Sequence, residues 1–360
     1  MDPLVIGGLT VTIPIIQGGM GVGVSLSGLA SAVANEGGIG VISSAGMGLL
    51  YQVESSNYAE ASIIGLKKEI AKARKNTSGV IGVNVMVAMT NFSDMVRTAI
   101  EEKVDIIFSG AGLPLDLPSY LTEGSVTKLI PIVSSARAAK LICNKWKASY
   151  SYLPDAIVVE GPKAGGHLGF KEEQIFDENY SLEVLVKEVR DSMDLIEKEH
   201  NVKIPIIAAG GIYTGEDINH ILSNGADGVQ MGTRFVTSIE CDASDEFKQT
   251  YINAEEKDIE IIKSPVGMPG RAILNSFMEK VKQGLKQPKS CPFHCIKTCN
   301  IDNSPYCIII ALFNAFKGNM NFGYAFAGSN AYKATKIQTI KEIFADIKRE
   351  FNESCKKFFG

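Results

Sequence analysis

Long apolar runs are missing from this 360-residue chain. The longest uninterrupted one is IIIALF at 308–313, far short of the roughly 20 residues a helix needs to cross a bilayer. A basic excess is missing too: 36 Lys and Arg stand against 40 Asp and Glu, for a formal charge of −4. No positive stripe invites a phosphate backbone, so nucleic acid is not an expected partner. The N-terminal MDPLVIGGLTV lacks the positive stretch of a signal peptide. Cysteine is an odd seven, four of them between residues 291 and 307, which is not the paired framework of a disulfide scaffold. Together these absences point to a cytoplasmic protein with a small-molecule partner, no membrane and no nucleic acid; a homodimer stays open.

What is present is a globular composition, with 45% hydrophobic and 21% charged residues and 35 glycines. The length suits two ordinary domains or one large α/β barrel carrying an insertion. Short β-branched runs recur at 13–17, 40–43, 81–85, 106–109, 129–133, 156–159, 205–208 and 228–231. Runs such as IPIIQ, LIPIV and AIVVE are apolar on both faces, as parallel strands covered by helices must be. Between them lie helical periodicities such as SLSGLASAVANEGG, which ends on a glycine pair, and TGEDINHILSNGA, where Thr214 and Asp217 are placed like a capping box. Eight such units predict an α/β fold, a (β/α)8 TIM barrel. The expected division is a barrel over 1–244, an inserted, mainly helical second domain over 245–330 that carries the cysteines, and a returning C-terminal helix within 331–360. The mixed-charge EFKQTYINAEEKDIEIIK reads as a solvated helix face.

Functional residues of such a barrel lie at the C-terminal ends of its strands. There the sequence places IIQGGMGVG, GVN, SGAG, EGPKAGGHLG, AAGGI and QMGTRF. Glycines at these points let backbone N–H groups approach an anion, and the last two loops form the usual phosphate cradle of the fold. The same glycines would also serve simply as tight turns. His167, in AGGHLG, has no evident helix or strand to pack within, so it is the candidate catalytic residue, a group able to donate a hydrogen bond or take a proton at the barrel mouth. Its plainer alternative is a loop histidine bound to a carbonyl. Cys291, Cys295, Cys299 and Cys307 form the candidate metal site, for zinc or an iron–sulfur cluster. Their spacing matches no common metal motif, and an i, i+4, i+8 stripe packed along one helix explains it equally.

These same motifs, in order over residues 13–236, resemble the nitronate monooxygenase (2-nitropropane dioxygenase) family and its sister, the flavin-type enoyl-acyl-carrier-protein reductase. The resemblance implies an FMN-dependent barrel oxidoreductase. Gly19 and Met20 would pass along the flavin ring, and Asn84 and Glu160 would bond its polar groups. The phosphate would lie among Gly165, Gly166, Gly210, Gly211, Gln230, Met231, Gly232 and Thr233, and His167 takes the position of the catalytic histidine. Many relatives carry Gln at the position of Glu160, and an ionised carboxylate there has no hydrogen to donate. The implied reaction is oxidation of an alkyl nitronate with O2 to a carbonyl compound and nitrite. The first alternative is reduction of an enoyl thioester with NAD(P)H as co-substrate; the second is a non-catalytic barrel binding a phosphate ligand or a metal.

Overall fold

The computed structural model describes residues 1–55 and 57–358. A hairpin of β1 (Leu4–Ile6) and β2 (Leu9–Val11) precedes the barrel. Eight parallel strands follow: β3 (Ile15–Gln17), β4 (Gly40–Ser43), β5 (Ile81–Met86), β6 (Ile106–Gly110), β7 (Lys128–Val133), β8 (Ile157–Glu160), β10 (Ile206–Ala209) and β11 (Gly228–Met231). A two-residue strand, β9 (Gly166–His167), lies outside that sheet. The sheet order is β3-β11-β10-β8-β7-β6-β5-β4. It closes where the Gln17 amide donates to Ile39 O and the Ile39 amide to Ile15 O, both at 2.9 Å.

Alternation along the strands explains why their sequences look apolar throughout. Ile16, Val41, Phe108, Ile130, Val158 and Ile207 point inward and fill the barrel, its N-terminal end plugged by Leu4, Ile6 and Val11 of the hairpin. Their neighbours Ile15, Ile42, Ile107, Leu129, Ile157, Ile206 and Val229 point outward, against the helices. Both faces are buried, as a parallel sheet requires.

One helix end departs from local expectation. The helix Ser27–Asn35 is capped from far away: Asp242 accepts the amides of Leu26, Gly28 and Leu29 at 2.8–3.1 Å, and Glu69 accepts that of Ser27 at 2.8 Å. Ser25, instead of capping, accepts the Met20 amide at 2.8 Å and so fixes the glycine-rich loop after β3. Thr214 and Asp217 do form a capping box on the helix Gly215–Ser223. The last helix, Ile340–Phe358, packs on that helix, with Glu350 accepting the Gly215 amide at 2.8 Å.

Residues 245–330 contain helices Asp245–Ile252, Ser276–Lys282 and Ile308–Phe316, and the antiparallel pair β12 (Ile259–Lys263) and β13 (Pro269–Ile273). The mixed-charge stretch is therefore helical only at its start. Its β-branched end, IEIIK, becomes a strand, and Phe247 and Tyr251 of the helical part are buried. β13 also pairs antiparallel with β9. No described helix is long and apolar enough to cross a membrane.

Candidate active site

The glycine-rich loops after the strands converge on one cavity at the C-terminal end of the barrel, and every residue named for the cofactor lines it. The loop after β3 brings Gly19 and Met20, the body of β5 brings Asn84, and the end of β8 brings Glu160. The following loop supplies Gly165, Gly166 and His167; the loop after β10 supplies Gly210 and Gly211; and the end of β11 supplies Gln230, Met231, Gly232 and Thr233. Gly166, Gly210 and Gly211 have φ of +82°, +99° and +84°, a region where any side chain would be strained. A Cβ on Gly165 would lie 2.5 Å from the Ala327 carbonyl carbon, so only glycine lets these two segments approach.

Several neighbours of this cradle come from outside the quoted motifs. Arg271 of β13 is buried and donates to the carbonyls of Pro162 and Ala164, which sets the direction of the peptide groups just ahead of Gly165. Asn330 donates to Gly211 O at 2.5 Å, and the Gly328 amide donates to Thr233 Oγ1 at 3.0 Å. The Ser329 hydroxyl is buried without a hydrogen-bond partner, and the buried Tyr213 hydroxyl lies beside Arg234, whose guanidinium sits 5.0 Å from its ring centre. Tyr213 lines the cavity, and Ser329 sits between two residues that do. Buried hydroxyls are normally satisfied, and Ser329 is left without a partner next to the cradle.

His167 does not sit on a loose turn. It belongs to β9, where its backbone pairs with Gly270 of β13. Its Nε2 lies 2.7 Å from Ser264 Oγ, and its ring meets Phe326 edge-on at 5.0 Å. Burial pulls its pKa down to about 4, so at neutral pH the imidazole is uncharged. Burial acts in the opposite sense on Glu160, pushing its carboxyl up to about 7, so near neutrality a large fraction is protonated and able to donate. Sequence reasoning assigned no role to Ser264, Arg271, Tyr213, Phe326 or Ser329, although SPVGMPGRAI at 264–273 extends the resemblance weakly and Tyr213 directly follows AAGGI.

The cysteines lie elsewhere. Cys291, Cys295, Cys299 and Cys307 line a second, smaller cavity, together with Ile301, Ile308 and others. They are not a stripe on one helix: residues 291–299 form no helix, and Cys307 is only the N-cap of Ile308–Phe316. All four are free thiols, and none is fully buried. Among the described residues, no group of three or more His, Cys, Asp or Glu is placed to hold a metal ion.

A (β/α)8 barrel whose glycine-rich loops gather around one cavity at the strand ends defines a ligand-binding barrel of the enzyme type. A family model described as nitronate monooxygenase matches residues 3–350, and the chain belongs to that family. It is 30% identical over 311 residues to a probable nitronate monooxygenase of Staphylococcus aureus, covering 76% of this chain and 79% of that protein. It is 29% identical over 271 residues to (3aS,4S,5R,7aS)-5-hydroxy-7a-methyl-1-oxo-octahydro-1H-indene-4-carboxyl-CoA dehydrogenase of Mycobacterium tuberculosis, covering 75% of this chain. The match spans 66% of the length of that dehydrogenase. Among solved structures, FabK from Thermotoga maritima superposes with a TM-score of 0.73 at 29% identity, over 97% of this chain and 95% of that one. Nitroalkane oxidase from Streptomyces ansochromogenes, at 20% identity and a TM-score of 0.73 over 96% of this chain and 97% of that one, shares the fold.

Proposed function

We propose that this chain is an FMN-dependent oxidoreductase that oxidises alkyl nitronates with O2 to carbonyl compounds and nitrite. The observation that carries the reading is the cradle itself: positive-φ glycines 166, 210 and 211 beside the unpartnered hydroxyl of Ser329 and the Tyr213–Arg234 pair. Backbone N–H groups and orphaned hydroxyls are the donor set a phosphate monoester takes. In this reading the phosphate sits among Gly165, Gly166, Gly210, Gly211 and residues 230–233. Gly19 and Met20 would hold the ring, and Asn84 and Glu160 would bond its polar groups. When bound, the flavin supplies the acceptor for substrate electrons and passes them to oxygen.

The chain's own residues then do three things. Glu160, while protonated, donates a hydrogen bond that an ionised carboxylate lacks. His167, neutral and with Nε2 engaged by Ser264, offers Nδ1 to a substrate oxygen and stabilises charge on the nitro group. A base of such low pKa takes an α-proton poorly near neutrality, which favours a preformed nitronate over its parent nitroalkane. Phe326, Tyr251 and Leu312 wall the cavity with apolar surface.

A second reading is reduction of an enoyl thioester, with His167 polarising the thioester carbonyl and NAD(P)H as the electron source. It is favoured by the dehydrogenase relative, whose named substrate is a carboxyl-CoA. Anaerobic titration of the purified yellow protein with NADH, NADPH and a nitronate separates the two. Reduction by the nitronate alone supports the first reading, and reduction by a nicotinamide followed by reoxidation with an enoyl thioester supports the second. Protein that carries no flavin and takes up no added FMN would refute both.

A further inference from the structure

We propose that Cys291, Cys295, Cys299 and Cys307 bind an iron–sulfur cluster, most simply of the four-iron type, in the small cavity beside the main one. The cysteines approach from both ends of an irregular segment and line that one space. Cys295 and Cys307 also pack on one apolar cluster. Yet no disulfide joins any of them.

Packing alone does not explain this arrangement. Structural cysteines are normally fully buried, whereas these four are partly open, and Cys291, Cys295 and Cys299 lie outside any helix or strand. That segment is nevertheless held in place. Cys295 O accepts the Thr90 amide at 3.2 Å, the Lys297 amide donates to Ala88 O at 2.9 Å, and Lys297 Nζ donates to Val87 O at 2.9 Å. Thr298 Oγ1 donates to Val266 O at 3.0 Å, and Phe293 packs on Tyr58 with ring centroids 5.6 Å apart. A left-handed His294, φ +42°, bends the chain between the first two thiols. The scaffold is thus set up around the sulfurs.

The size of the bound group distinguishes the metals. One tetrahedral zinc draws its four thiolates to about 3.8 Å from each other, given zinc–sulfur bonds near 2.3 Å. No such convergence exists here among the described residues. A four-iron cluster, with four cysteines each ligating its own iron, accepts a wider spread. The site adjoins the main cavity: Val22 and Leu312, which line that cavity, share an apolar cluster with Cys295 and Cys307.

The test is iron and acid-labile sulfide content of the full chain, purified or reconstituted without oxygen, with electron paramagnetic resonance after dithionite reduction. About four irons and four sulfides per chain are expected, with a cluster signal distinct from any flavin. Cys295→Ser combined with Cys307→Ser should remove most of both, as should Cys291→Ser alone. Cys355→Ser, outside the cavity, should leave both unchanged. Stoichiometric zinc without sulfide, iron unaffected by the cluster variants, paired disulfides, or metal-free protein with four freely titrating thiols after reconstitution would each overturn the proposal. None of these readouts depends on whether the main cavity binds flavin.

Discussion

Replacing Glu160 by Gln should remove a pH-dependent liability from the fold. The Glu160 carboxyl titrates at about 7 in the folded chain against 4.5 in the reference state, because burial disfavours its charge. Its proton is thus held more tightly when folded. Stability is full below pH 4.5 and is lost as pH rises toward 7, where the folded carboxyl finally ionises. A difference of this size corresponds to on the order of 3 kcal/mol lost between pH 4 and pH 8. Gln at 160 does not titrate, so the stability difference between variant and wild type should grow by that amount across the window. Taking the difference between the two chains cancels the opposite titration of His167. Urea denaturation of ligand-free protein at half-unit pH steps measures it, with cofactor retention followed in parallel. Wild type should release flavin more readily above pH 7, while the Gln chain should not. A flat difference from pH 4 to pH 8 would show that water in the cavity solvates the carboxylate and that burial is not what governs this site.

The other expectations are direct. His167→Asn should retain FMN yet lose about two to four orders of magnitude in turnover; a nitronate and its parent nitroalkane losing equally would assign the ring to charge stabilisation, and wild-type turnover would make it structural. Gly211→Asp places a charged side chain at φ +84° beside Lys163, and mass spectrometry of the folded variant should find no bound FMN; normal content would put the phosphate elsewhere. Asp242→Ala orphans three amides at the start of Ser27–Asn35 and should cost about 2 kcal/mol; an unchanged denaturation midpoint would show water replacing the cap.

The barrel was legible in the sequence because both faces of its strands are buried, leaving IPIIQ or AIVVE no polar interruption to blur the pattern. The cavity's glycines were legible for a related reason, since they lie in the loops that follow the barrel strands. Contacts made across the chain had no such signal. Asp242 capping a helix 216 residues away in sequence from Leu26, or Ser264 meeting His167 across 97 residues, rests on tertiary geometry that no periodicity encodes. IEIIK was misread as helix because its charged neighbours share the same spacing, and tertiary pairing with β13 prevailed over local pattern. The cysteine spacing suggested a helix that a left-handed His294 and the bonds of Lys297 do not permit.

The pairing of β9 with β13 has a consequence for how this protein can vary. The strand that carries His167 is stitched to the segment that supplies Ser264, Arg271 and Phe326, so the imidazole and the wall facing it form one mechanical unit. A substitution in residues 259–330 that reshapes the pocket for a bulkier substrate will also move the imidazole or its hydrogen-bond partner. Preference and rate are therefore geared together: laboratory evolution toward new substrates should first yield variants that accept the molecule but turn it over slowly. Recovery should then come from compensating changes along β13 and not from the barrel strands.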